Sequence, residues 1–397
     1  MPKDYSPFTP GVPARPEDFA GKAAEVEQML GSCRAAQAGR LERTFVIGDR
    51  GIGKSSLCNY VRHAADAKLD MLGLHVYLGG ARSLEEMCRR IFEQLAKSSL
   101  GRPWYDRVVS LLGKHVKQVG LFGVNIQFAA GAEELRGLAT SLPEQIEGVL
   151  SHLKDDRRGM LLILDDINGL AESDEFADWL KTFIDSVATH HAKLPLHLVL
   201  AGLPERRASL LRLQPSLNRA FAVLLSGKIS VEDSTQFFAD RFKQAGTECA
   251  KGVLALLSNY AGGYPALLQE IGDAVFKHDL DGAITMDDAA KGLVAAAKVI
   301  GEKYLDSVVL GAISSEQYRG LLHKLASRLE KDSFVRKELG SELTENEMMV
   351  FDNFARKMRG LGVLEAPAPG VYRFTNDLHR LYFALSAGPL KGVPRQR

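Results

Sequence analysis

The segment Gly48-Asp49-Arg50-Gly51-Ile52-Gly53-Lys54-Ser55 constrains this 397-residue chain more than any other. A short apolar run, Arg43 to Ile47, feeds directly into it. Helical spacing follows from Lys54 to Ala65, with Leu57, Tyr60 and Val61 on one side. A Gly-x-x-x-x-Gly-Lys-Ser turn between a strand and a helix lets the main chain wrap phosphates, with successive amide hydrogens pointing inward. The helix adds the positive end of its dipole. Lys54 is expected to reach the β- and γ-phosphates and the Ser55 hydroxyl to ligate Mg²⁺, with Gly48, Gly51, Ile52, Gly53 and Ser56 completing the cradle. Asp49 and Arg50 are expected to vary the loop without bonding phosphate through their side chains.

Just over a hundred residues later comes Leu161-Leu162-Ile163-Leu164-Asp165-Asp166. Four apolar residues read as a buried strand, whose carboxyl end sets two carboxylates at the sheet edge where ligands bind in open α/β folds. Asp165 is expected to hold Mg²⁺ through water, and Asp166 to orient or deprotonate an attacking water.

Further strands are expected at Leu72 to Leu78, Leu196 to Ala201 and Ala222 to Leu225, with helical stretches between them. Unbroken apolar strands alternating with helices predict a parallel sheet covered on both faces. The expected layout is an extended arm over residues 1–18, an α/β domain over 19–228, a helical lid over 229–305 and a winged helix over 306–397. Ser83 with Glu86, and Ser230 with Asp233, read as capping boxes. The last segment reads as helical to about Gly360, then as two short strands around Val363 and Tyr372 to Phe374. Val119 to Phe128 mixes glycine with apolar residues and reads as an inserted hairpin or strand.

Together these residues resemble the AAA+/STAND group of P-loop ATPases, particularly its archaeal-ATPase-like and origin-recognition-like branches, over most of the chain. Phe19-Ala20-Gly21-Lys22-Ala23-Ala24-Glu25-Val26 is similar to that group's Phe-x-Gly-Arg-x-x-Glu-Leu box, with lysine in place of arginine; the resemblance implies that Phe19 and Gly21 pack beside adenine. Gly262-Gly263-Tyr264-Pro265 resembles the lid's Gly-x-Pro motif and implies that Pro265 lies near the base, which leans toward STAND. The resemblance implies ATP and Mg²⁺ as ligands, a P-loop core with helical lid and winged helix, and homo-oligomers. Arg219 falls where relatives carry an arginine finger; the alternative is a surface or salt-bridged arginine. The fourth strand ends without the polar residue that often senses the γ-phosphate. With aspartate rather than glutamate at 166, this implies slow hydrolysis, a switch more than a motor.

Composition narrows the partners. A net charge of +1 argues against a protein built mainly to coat nucleic acid. Residues 310 onward carry only a slight basic surplus, and the candidate recognition helix opens at Thr344 with Glu345 and Glu347, acids that oppose a DNA backbone. A protein partner or effector is therefore the first expectation and DNA contact, as an initiator or loader, the second; a nucleotide-locked scaffold is a third. Cys33, Cys58, Cys88 and Cys249 show no paired spacing, which fits a reducing cytoplasm. No apolar run is long enough to span a bilayer, so no membrane role is expected. His190 and His191 have no third ligand spaced to join them. Trp104 reads as a packing anchor, and no nucleophile-elbow pattern supports a serine hydrolase.

Overall fold

The computed structural model describes residues 5–113, 116–119, 125–328 and 333–386. They fall in two compact units, one within Pro13–Gly227 and one combining the chain up to Val12 with the chain from Lys228 onward.

The first unit runs α1 (Ala23–Gln37), β1 (Glu42–Ile47), α2 (Lys54–Leu69), β2 (Leu72–Tyr77), α3 (Leu84–Ser99), α4 (Tyr105–Leu112), β3 (Val116–Val119) and β4 (Asn125–Phe128). It continues with α5 (Ala132–Thr140), α6 (Leu142–His152), β5 (Met160–Asp165), α7 (Asp174–His190), β6 (Leu196–Gly202), α8 (Pro204–Leu213), α9 (Leu217–Ala220) and β7 (Ala222–Leu225). Five strands form one parallel sheet in the order β2-β5-β6-β1-β7. β5 shows why a central strand is apolar on both sides. Leu162 and Leu164 enter one core cluster with Leu74, Leu198 and α3, while Leu161 and Ile163 enter another with Leu57, Val61 and α1. Helices cover both faces, so neither parity of the strand meets water.

The expected insertion is an antiparallel pair, β3 with β4, that begins at Val116, three residues earlier than the sequence suggested. Residues 120–124 lie outside the described residues. Ser83 caps α3 by accepting the Glu86 N–H at 3.3 Å, but the Glu86 carboxylate turns to Arg90 instead of completing the box. Trp104 is buried, as a packing anchor should be.

The second unit runs α10 (Val231–Gln244), β8 (Glu248–Cys249), α11 (Val253–Ala261), α12 (Pro265–His278), β9 (Ala283–Ile284), α13 (Met286–Ile300) and a π-helical stretch, Gly301–Leu310. It ends with α14 (Glu316–Ala326), β10 (Phe334–Val335), α15 (Glu345–Gly360), β11 (Leu364–Ala368), β12 (Val371–Phe374) and α16 (Asp377–Ser386). The stretch expected to stay helical to Gly360 is interrupted by β10 and a 3₁₀ turn, Arg336–Ser341, because Phe334 and Val335 pair with Tyr372 and Val371. The three terminal strands form an antiparallel sheet in the order β10-β12-β11.

The arm is anchored to the second unit. Phe8 is buried among Phe237, Phe238 and Phe242, and Thr9 N–H donates to the Gln269 side chain at 2.8 Å. Gly272 of α12 makes room for it: a β-carbon there would fall 2.2 Å from the Phe8 ring.

Candidate functional site

Parallel pairing brings the ends of four strands level. Tyr77 pairs with Asp165, Asp165 with Ala201, and Gly202 with Ile47, so the turn after β1 and the acids after β5 share the carboxyl edge of the sheet. β6 separates them, which at the usual strand spacing is roughly 10 Å between β1 and β5.

The turn after β1 is shaped by its glycines. A β-carbon on Gly48 would lie 2.6 Å from the Ser226 carbonyl oxygen, so only glycine lets the chain pass there. Gly53, at φ +89°, turns the chain into α2. Helix starts here are of two kinds, and α2 shares the uncapped, acid-free kind with α11 and α12. Ser83, Ser173, Ser230, Thr285, Ser315 and Thr344 cap α3, α7, α10, α13, α14 and α15 through their hydroxyls. α2 has no side-chain cap and no acid in its first turn. A helix N-terminus left in that state suits an anion. Ile52, within the turn, is buried.

Lys54 Nζ donates to the carbonyls of Gly48 at 2.8 Å and Asp49 at 2.9 Å. Burial lowers its pKa, and Asp165, Asp49 and Asp166 each oppose that shift. The ammonium therefore sits in the field of both acids at the end of β5. Ser55 follows it in the first turn of α2. The Ser56 hydroxyl accepts the Ala14 N–H at 3.0 Å, and Asn59 donates to the Ala14 carbonyl at 3.3 Å. The Ser56 side chain thus pins the incoming chain to α2.

Asp165 is fully enclosed and accepts a hydrogen bond at Oδ2 from His75 Nε2 at 2.9 Å. His75 stacks on Tyr77, with ring centroids 4.5 Å apart. The Tyr77 phenol is pushed up to about 12, by burial first and by Asp165 second. Asp166 leaves the strand at φ +59°, a left-handed conformation that costs a β-carbon-bearing residue roughly 1–2 kcal/mol. Its Oδ1 accepts from Asn168 Nδ2, and its Oδ2 lies where a β-carbon on Gly79 would come within 2.8 Å. Arg90 fixes the Gly79 turn by donating to the Tyr77 carbonyl at 2.9 Å and the Gly79 carbonyl at 3.1 Å.

The remaining sequence candidates divide. Gly21 turns at φ +70°, and Phe19 stacks on Tyr60 of α2 with centroids 4.6 Å apart. Lys22 is buried and donates to Ser226 Oγ at 3.0 Å and to the Gly227 carbonyl. Burial lowers its pKa. Lys22 thus ties the start of α1 to the chain leaving β7. Arg219 is exposed on α9. Pro265 belongs to the other unit, at the first turn of α12, where Gly263 closes on Ile229: the Ile229 N–H donates to the Gly263 carbonyl at 3.0 Å.

Sequence reasoning missed His75 and Asn168. His75 carried a signal, because a polar residue inside an apolar strand needs a buried partner. Asn168 carried none beyond its nearness to the acids. Among the described residues no group of three or more His, Cys, Asp or Glu side chains is arranged to hold a metal, so a bound ion would share its shell with phosphate, water and Ser55. Among the described residues no helix is long and apolar enough to cross a membrane.

Residues 18–200 match the model of the AAA ATPase domain. The fold is similar to that of the Walker-type ATPase PABY2304 of Pyrococcus abyssi, with a TM-score of 0.54 and 13% identity over 95% of this chain and 99% of that one. It is also similar to the ORC2 protein of Aeropyrum pernix in its ADP form, with a TM-score of 0.50 and 14% identity over 92% of this chain and 93% of that one. No curated protein matches the sequence. The P-loop and the parallel sheet accord with the match of residues 18–200 to the AAA ATPase domain.

Proposed function

We propose that the chain binds Mg-ATP and hydrolyses it slowly as a conformational switch. One observation carries this reading: the glycine turn from β1 into α2 sets Lys54, half-buried, in the field of Asp165 and Asp166 at the carboxyl edge of the sheet. In this reading the amides of residues 48–53 and the start of α2 wrap the phosphates, and Lys54 leaves its carbonyl partners to meet the β- and γ-oxygens. Ser55, and Asp165 through water, would hold Mg²⁺, which when bound would stabilise charge on the phosphate oxygens. Asp166 takes the proton of the attacking water. That water's oxygen bonds to the γ-phosphorus, and the bond to the β–γ bridging oxygen breaks with its electron pair leaving on ADP.

Phe19, stacked on Tyr60 of α2, and Gly21 supply a place for the adenine in this proposal. Arg219, exposed, is available to a second copy's nucleotide, which makes a homo-oligomer the working form. Residues 229–305 serve as the helical lid in this proposal, and residues 306–397 as a winged helix. The order α14, β10, α15, β11, β12 supports that last reading. The STAND likeness rests on Gly262-Gly263-Tyr264-Pro265 alone.

DNA contact is the second reading. Arg356, Lys357 and Arg359 on α15 favour it. Against it, Arg373 is paired with Glu365 and Arg336 with Asp352, and the 366–370 turn carries no basic residue. A docked protein effector therefore suits this surface better than a phosphate backbone.

Phosphate release from wild type, Lys54→Ala and Asp166→Asn tests the main claim. The expected result is slow release by wild type and background release by both variants; equal rates in all three would end the ATPase reading. A DNA affinity that needs ATP and falls steeply with salt would promote the second reading.

A further inference from the structure

The turn that leaves β5 carries a side chain that joins two parts of the site. Asn168 Nδ2 donates to Asp166 Oδ1, and Asn168 Oδ1 accepts the Leu203 N–H at 3.3 Å. Chemistry fixes the orientation of this amide. A main-chain nitrogen can only donate, so the amide oxygen faces Leu203 and the NH₂ is left for the carboxylate.

Leu203 directly follows β6, whose last residues, Ala201 and Gly202, bring no polar side chain to the edge of the sheet. Asn168 supplies one from the neighbouring strand's exit. The turn that holds it is rigid. Ile167 is fully buried, and its carbonyl accepts the N–H groups of Leu170 and Ala171 at 2.9 Å each. Gly169 packs so close to the next turn that a β-carbon would lie 2.3 Å from the Ala81 carbonyl oxygen. At Gly79, the missing side chain lets Asp166 Oδ2 pack against the main chain, since a β-carbon there would lie 2.8 Å from it.

We infer that Asn168 is the positioning residue for Asp166. Its amide occupies Oδ1 and references the carboxylate to the tip of β6. Oδ2 is then the oxygen left to receive the water's proton. This inference rests on Asp166 being the base, as proposed above. Proton transfer depends on sub-ångström placement, so a carboxylate released to rotate loses turnover while nucleotide affinity stays.

The test is calorimetric titration of the full chain with MgADP, with and without aluminium fluoride, which mimics the phosphoryl group in transfer. Wild type is compared with Asn168→Ala and with Asn168→Asp, which keeps an acceptor for the Leu203 N–H but cannot donate to Asp166. MgADP alone should bind all three within about twofold. The gain in affinity from aluminium fluoride should fall about tenfold in both variants, alongside a drop in kcat at unchanged KM. Full retention of that gain in both variants overturns the inference. So does a parallel loss of MgADP affinity, which would mark a merely structural residue. A wild type that gains nothing from aluminium fluoride would instead remove the hydrolysis reading, and this inference with it.

Discussion

His75 Nε2 and Asp165 Oδ2 lie 2.9 Å apart on adjacent strands, with both side chains almost fully enclosed. A buried carboxylate is costly without a donor, and this imidazole is the one that meets Oδ2. It also fixes which way the carboxylate faces. Partners of this kind typically change metal affinity 10–100-fold when removed. His75→Ala should raise the Mg²⁺ concentration for half-maximal nucleotide binding by about tenfold, measured by titrating Mg²⁺ against a fluorescent ADP. An unchanged midpoint would show that Asp165 needs no orienting partner.

Gly169→Ala offers an independent probe of the same turn. Its β-carbon would press on the Ala81 carbonyl oxygen, main chain that cannot swing aside. Overpacking of this kind costs about 1–3 kcal/mol. A lowered urea midpoint is expected together with reduced turnover, since Asn168 precedes the altered residue. Wild-type stability in this variant would mean that the two turns can separate freely.

pH reports on a different part of the sheet. His197 of β6 is buried against Thr44 Oγ1 at 2.9 Å and Cys33 Sγ at 3.5 Å, and burial pulls its pKa from 6.5 down to about 3. The unfolded chain takes up a proton below pH 6.5, whereas the folded chain resists until about pH 3. Its contribution is thus complete above pH 6.5 and is lost as pH falls through that window, at no more than about 1.4 kcal/mol per pH unit. His379, lowered to about 4 by burial, acts with the same sign. Urea unfolding at pH 7 and pH 5 should show lower stability at pH 5, and His197→Gln should flatten part of that slope. An identical slope in the variant would mean that His197 is not the group responsible.

Phe8 is the prediction for the second unit. Its ring is 3% exposed within an aromatic cluster, and Phe→Ala in such a site costs about 3–5 kcal/mol. Hydrogen exchange should quicken in α10 and α12 of Phe8→Ala, with the parallel sheet of the first unit protected as before. Unchanged exchange in α10 would detach the arm from that core.

Where the sequence was legible, local chemistry and tertiary packing agree. Met160 to Leu164 had only one environment open to it, buried on both faces, and the glycines at 48 to 53 admit few alternatives to a tight turn into a helix. Asp165 was legible because an acid ending an apolar strand must lie at its edge. Asn168 was not legible, since its partners are set by the left-handed turn at Asp166 and by β6, which joins β5 only through long-range pairing. β10 escaped notice for a similar reason: two residues make a strand only when Tyr372 and Val371 stand opposite. The docking of the arm was not legible, because the burial of Phe8 depends on a glycine at 272, far along the sequence.

That last pairing sets an order of assembly during synthesis. Thr9 and its partner Gln269 are 260 positions apart, so the ribosome releases the arm long before its cluster exists. The parallel sheet is complete once Leu225 has emerged and can close first. The helical unit must wait, with an unsheltered phenylalanine at the head of the chain, until translation has passed α12.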